Sequence, residues 1–176
     1  MTLIKTRARG LKLDDNYTFT GTISGAGGGK INQVVQTVDK TVATFSLATG
    51  TLSSMMTVNI TPTATSSKIL VRFDCYIGAS GDYPYVILRR GTTDIIKSDL
   101  QGSRQRTTGA VGYTSANQLK CLSSEILDSP NSTSEVSYVI SVGGYASNTF
   151  HKNKTDDDGD RHTSACSQIT AIEVLA

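Results

Sequence analysis

The chain contains no tryptophan, and aromatic residues make up only 6% of it. Histidine occurs twice, at His151 and His162, and cysteine three times, at Cys75, Cys121 and Cys166. Each scarcity removes a class of chemistry. Nucleophilic catalysis needs a base set against the nucleophile, and histidine is the usual one. Both histidines lie in a polar stretch away from any apolar pocket that the sequence suggests, and they have the wrong number and spacing for a catalytic zinc site. Asp74, Asp82, Asp94 and Asp99 could meet as a glycosidase pair, but nothing singles out two of them. The expectation is a protein that is not an enzyme.

The cysteines are 46 and 45 residues apart and show no CxxC spacing, so neither a metal knot nor a redox pair is indicated. They read as free thiols buried as small hydrophobes. Long apolar runs are missing too. None approaches the roughly 20 residues that cross a bilayer, and Met1-Thr2-Leu3-Ile4-Lys5 leads into Arg7, Arg9 and Lys12 instead of an apolar leader core. The expectation is a protein made in a cytoplasm that does not enter a membrane. With 17 basic and 15 acidic residues the net charge is +2, too weak a field to attract nucleic acid by itself.

No cofactor motif survives inspection. Residues 25–30 superficially suggest a phosphate loop, but Ser24 stands where the first glycine belongs, and Ile31 stands where a hydroxyl would hold magnesium. Residues 155–160, Thr155-Asp156-Asp157-Asp158-Gly159-Asp160, hold the densest acidic run. Aligned on Gly159, an EF-hand loop would begin at Lys154 and end at Ala165, which excludes it. That leaves either an irregular oxygen-ligand site or an exposed, solvated loop. His151, Asp156, Asp158 and His162 are the residues of this excursion, roughly 147–165, placed to touch another molecule.

What the chain does have is serine and threonine, together about a quarter of all residues, and repeated two-residue alternation. Residues 68–77 place Ile69, Val71, Phe73, Cys75 and Ile77 on one side and Arg72, Asp74 and Tyr76 on the other. Val136, Tyr138, Ile140 and Val142 repeat the arrangement, as do Met56, Val58 and Ile60 before Pro62. Further strands are predicted at 31–38, 42–47, 85–90, 94–97, 107–113, 118–127 and 168–175. The last runs almost to the final residue and is expected to be held in the sheet. No window shows a helical period. The fold class is therefore all-β: an antiparallel β-sandwich or jelly roll over residues 31–176.

Residues 1–30 differ from the rest. They are basic at first, offer one short alternating stretch with Tyr17 and Phe19 on one side, and end in Gly25-Ala26-Gly27-Gly28-Gly29. They read as an extended N-terminal arm that anchors the protein on a partner through Arg7, Arg9, Leu11, Leu13, Tyr17 and Phe19. A second contact-prone group combines Arg89, Arg90, Arg104 and Arg106 with Tyr76, Tyr83 and Tyr85, the residue types that dominate interfaces. An ordinary solvated strand edge is the equal alternative.

Within the arm, Arg7-Ala8-Arg9-Gly10-Leu11-Lys12-Leu13 and Tyr17-Thr18-Phe19-Thr20-Gly21 resemble the leaders of small virion and tail-fibre proteins of marine and cyanobacterial tailed phages. Ser66-Ser67-Lys68-Ile69-Leu70-Val71, Leu88-Arg89-Arg90-Gly91-Thr92 and Ile169-Thr170-Ala171-Ile172-Glu173-Val174 resemble strands of their trimeric jelly-roll domains. The resemblance implies a virion component without catalytic residues or cofactors, made in the host cytoplasm. Its leading form is a homotrimeric capsid decoration, or cement, protein bound to the major capsid protein or another virion protein. The alternative is a short tail fibre, head fibre or receptor-binding adsorption protein that meets a host receptor.

Overall fold

The alternation of residues 68–77 becomes the longest strand of the fold, β4 (Lys68–Ala79). Before it come β1 (Ile31–Asp39), β2 (Ala43–Leu47) and β3 (Ser53–Ile60). After it come β5 (Tyr85–Arg90), β6 (Thr93–Ile96), β7 (Gly109–Ala110), β8 (Leu119–Asp128), β9 (Val136–Gly143), β10 (Asn148–Lys152) and β11 (Ser167–Val174). The structure is a computed structural model that describes residues 31–79, 83–112 and 115–175, and it holds no helix among them. The arm assigned to residues 1–30, with Arg7, Arg9, Leu11, Leu13, Tyr17 and Phe19, lies outside the described residues.

The strands form a β-sandwich of two antiparallel sheets. One has six strands in the order β1-β11-β4-β10-β2, with β8 also paired to β4; the other runs β3-β9-β5-β6, with β7 paired to β5. The inward side chains are those the alternation named. Ile69, Val71, Phe73, Cys75 and Ile77 meet Val58, Ile60, Val86, Leu88, Tyr138, Ile140 and Val142 across the core. Burying each large apolar side chain contributes roughly 1.5–3 kcal/mol, so a core lean in aromatics is assembled from many branched aliphatic contributions.

The middle strand determines the rest of the layout. β8 covers one edge of β4 from Ile69 to Gly78. The opposite edge is therefore shared, by β11 against residues 68–74 and by β10 against residues 77–79. β10 and β11 are thus one line interrupted in its middle, and residues 153–166 leave the sheet between them. β1 and β2, which pair with β11 and β10 respectively, follow the same broken line.

Two polar clasps tie one sheet to the other. Glu173, inward on β11 and fully buried, accepts from the backbone N and Oγ1 of Thr63 at 2.7 and 2.8 Å. Its second oxygen accepts from Asn32 and Gln33 at 2.9 and 2.7 Å. Burial alone would raise its pKa, and these donors override that, holding the carboxyl well below the ordinary value of 4.5. The other clasp centres on Asp128 of β8, which accepts from Arg90 at 2.8 Å and from the buried Tyr138 hydroxyl at 2.7 Å. Burial, and then that bond to a carboxylate, keep the Tyr138 phenol protonated.

Three sequence expectations need correction. The strand expected over 107–113 is reduced to the two residues of β7, beside which Thr108 adds hydroxyl bonds to Ile96 O and from Leu88 N. β10 was not expected at all. Of the cysteines only Cys75 is buried, whereas Cys121 and Cys166 are exposed, because Cys121 falls at an outward position of β8. Cys121 pairs with Tyr76 on one edge of β4, while Ser167, the neighbour of Cys166, accepts from Tyr76 N on the other. Two strand spacings, about 9.6 Å, exceed the reach of a disulfide.

Candidate functional site

The acidic excursion is built on its root, not on its tip. Asn153 takes a left-handed conformation (φ 60°) and is completely buried, a backbone geometry that asparagine tolerates better than most residues. Its amide donates to Asp39 O at 2.8 Å and Thr41 O at 3.0 Å, and its Oδ1 accepts from Ser167 Oγ at 2.6 Å. Its own N–H donates to Tyr76 O, and its carbonyl accepts from Ala165 N. One residue thus joins β1, β4 and both ends of the excursion. Gly78 completes the seat: a Cβ there would lie 2.4 Å from Lys154 O, so only glycine lets the excursion rest against β4.

This overturns the expectation that His151 lies in an exposed, solvated loop. It sits on β10 and is 4% exposed, with Nδ1 3.2 Å from Thr44 Oγ1 and Nε2 2.8 Å from Asp156 Oδ1. Nδ1 and the threonine hydroxyl share a hydrogen bond whose direction follows the tautomer, while Nε2 approaches the carboxylate without the alignment of a hydrogen bond. Lys152 beside it is also buried, its ammonium bonded to Asp39 and reaching Met55 O at 3.5 Å. Asp156 is fixed from behind by its backbone N–H, which donates to Ala116 O at 3.0 Å.

Burial lowers the His151 pKa below its ordinary value of 6.5, and the opposing pull of Asp156 does not cancel this. In the unfolded chain the imidazole takes up its proton first, so folding stability falls as pH drops through about 6.5. We expect unfolding midpoints in denaturant to decline from about pH 7 to pH 5.5, and His151→Gln to flatten that slope. An unchanged slope in the variant would show that other groups dominate.

The four excursion residues do not converge. His151 faces Asp156, whereas His162 and Asp158 line a separate depression of 190 Å³ with Lys154, Asp157 and Ser164. Among the described residues no group of three or more histidine, cysteine, aspartate or glutamate side chains is arranged to hold a metal ion. Two of the carboxylates considered for a glycosidase pair are also far apart in role. Asp74 lies on the six-stranded sheet near Arg72 at 3.8 Å, and Asp94 lies on β6 between Arg89 at 3.2 Å and Lys97 at 2.9 Å.

The arginine and tyrosine group divides in the same way. Arg89 and Arg90 are engaged by Asp94 and Asp128 and belong to the scaffold. Arg106 donates to Ser98 O at 2.7 Å. Tyr76 stands on the outer face of the six-stranded sheet beside Cys121. Tyr83, Tyr85 and Arg104 do come together, with Tyr145, Gln105, Thr107, Ala110 and Val111, around a cavity of about 540 Å³. Tyr145 follows a different strand and is far in sequence from the others, so proximity along the chain could not include it.

The outer face of the six-stranded sheet holds a second feature. Cross-strand register aligns Val34 with Ile172, Ile172 with Leu70, and Leu70 with Leu127, all pointing away from the core. The result is an apolar band across four strands, with Val34 57% and Leu127 48% exposed. Ile31, 67% exposed, extends it to the point where residues 1–30 join. The next row, Gln36, Thr170, Arg72 and Glu125, is polar, and the row beyond is knitted together by Gln168 donating to Asp74 at 2.9 Å. The apolar strip thus lies beside polar rows whose side chains bond to one another.

Comparison with protein-family models finds no match for this chain, and comparison with curated proteins finds none either.

Proposed function

We propose that this chain is a structural protein of a tailed-phage particle, a homotrimeric capsid decoration protein held on the head lattice by residues 1–30 and the apolar sheet face. The observation that carries the attachment is the band Val34, Ile172, Leu70 and Leu127, which leaves about four apolar side chains on a face that a monomer would keep polar. Ile31, at the end of the band, is also the residue to which the proposed arm is joined, and an arm and a band that grip one neighbouring surface would reinforce each other.

The strand order supports a jelly roll. Counting β1 with β2 and β11 with β10 as interrupted strands, the layers read β1-β11-β4-β8 and β3-β9-β5-β6, with the chain passing repeatedly between them. The virion assignment itself is supported by the resemblance of the arm and of three strand segments to phage particle proteins. The major capsid protein is the partner this reading names. Protein–protein contact among identical copies around a three-fold would close the assembly.

The test is binding of purified protein to emptied phage heads, alongside sedimentation to measure its mass. A trimer that saturates heads at many copies is expected. Val34→Asp combined with Leu127→Asp, and separately deletion of residues 1–30, should each weaken attachment at least about tenfold while leaving thermal unfolding unchanged. A monomer, or attachment that ignores both changes, overturns the proposal. Attachment at a single vertex or to host cells transfers the chain to the short-fibre or adsorption class.

A further inference from the structure

The cavity on the outer face of the five-stranded sheet is independent of the attachment face and of the reading built on it. Tyr85 forms its floor. The side chain projects outward from β5, yet it is only 3% exposed. Its cross-strand neighbours are the small residues Gly143 on β9 and Ala110 on β7. A Cβ on Gly143 would lie 2.8 Å from both Cζ and Oη of Tyr85, so the ring lies down over the glycine instead of standing off the sheet. Two further rings stand at the rim, Tyr83 at 53% and Tyr145 at 72% exposure. Arg104, Gln105 and Thr107 add polar groups, and Arg104 is the only charged residue among the described residues of the lining.

From this arrangement we propose that the cavity is a saccharide-binding site, selective for a pyranose that carries a carboxylate, such as a uronic or sialic acid residue. The C–H face of a pyranose is weakly positive and lies against the negative face of an aromatic ring. Tyrosine also offers a hydroxyl to the sugar's own hydroxyls, which a leucine or phenylalanine lining would not do. At about 540 Å³ the space suits one or two sugar units. Among the described lining residues there is no acid, and Arg104 favours an anionic sugar over a cationic ligand, since a guanidinium can grip a carboxylate through two parallel bonds. A proline-rich peptide would also use tyrosines, but it gains nothing from a lone arginine at the rim.

The experiment uses the full-length chain on a glycan array printed with neutral, uronic and sialic acid oligosaccharides, followed by titration calorimetry with the best binder. Binding to an acidic glycan is expected. Tyr145→Ala, at a side chain too exposed to affect folding, should weaken it about tenfold, and Arg104→Gln should erase the preference for acidic over neutral sugars. Gly143→Ala should weaken it as well by lifting the Tyr85 ring. The proposal is overturned by a chain that binds no printed glycan, by binding that survives Tyr145→Ala, or by a polyproline peptide that binds where sugars do not. Because the attachment variants Val34→Asp and Leu127→Asp lie on the other sheet, they should leave this binding unchanged. Failure of the particle reading and failure of this one are therefore separable.

Discussion

Replacing Glu173 by alanine is expected to remove about 3–5 kcal/mol of folding stability, a large part of the roughly 5–15 kcal/mol that native domains ordinarily have. Four donor groups, from Asn32, Gln33 and both donors of Thr63, would be left facing an empty space. The carboxylate also joins three separate segments: β11 itself, the start of β1 and the turn after β3. Glu173→Gln keeps the volume and one acceptor but turns an amide toward donors, so about half that loss is expected. Urea unfolding at neutral pH measures both variants.

Acid provides a second readout for the same residue. Its folded pKa lies below the ordinary value of 4.5, so the unfolded chain binds the proton first as pH falls. The contribution is complete above that value and declines as pH drops below it. Glu173→Gln should flatten the acid limb of the stability profile below about pH 4.5. A variant that keeps the parent's limb would mean that Glu173 is not the group responsible.

The root of the excursion gives the second large effect. Asn153→Ala loses both donors to the carbonyls of Asp39 and Thr41 and the acceptor for Ser167, and it puts a Cβ-bearing residue without compensation at φ 60°. A loss of about 3 kcal/mol is expected. Asn153→Gly suits the backbone better and should lose less. Asn153→Asp should lose most, since it keeps the acceptor and sets a carboxylate against two carbonyl oxygens. That order, Asp worse than Ala and Ala worse than Gly, separates the hydrogen-bond account from a purely conformational one, in which Asp would rank close to Asn. Chemical unfolding of the three variants decides it.

The sandwich was legible because the inward positions of its core strands recur with the period of two. β4 and β9 place every inward residue where alternation puts it, and burial follows. β10 was not legible for the opposite reason. Its residues Phe150, His151 and Lys152 are all buried, but two of them are satisfied by polar partners more than a hundred residues away, Thr44 and Asp39. No local pattern encodes such partners. The only hint is a charged or titratable residue at a strand's inward parity, a signal that also marks Glu173 after Ile169 and Ala171.

The candidate surfaces were legible in part. The clustering of Tyr83, Tyr85 and Arg104 could be read from the chain, while Tyr145 depended on β9 ending next to β5. Val34, Leu70, Leu127 and Ile172 each break alternation on their own strand. Only the register between strands, a property of the assembled sheet, turns four isolated exceptions into one band.

The interrupted line formed by β10 and β11 has a practical consequence. Its two halves are held in phase by Tyr76, which accepts from Asn153 and donates to Ser167, so nothing between those anchors sets the alignment of the sheet. The tip around residues 157–162 is thus a port: foreign peptide spliced there would be presented outside the sandwich while every ladder beneath kept its place, much as a bracket holds whatever is hung from it.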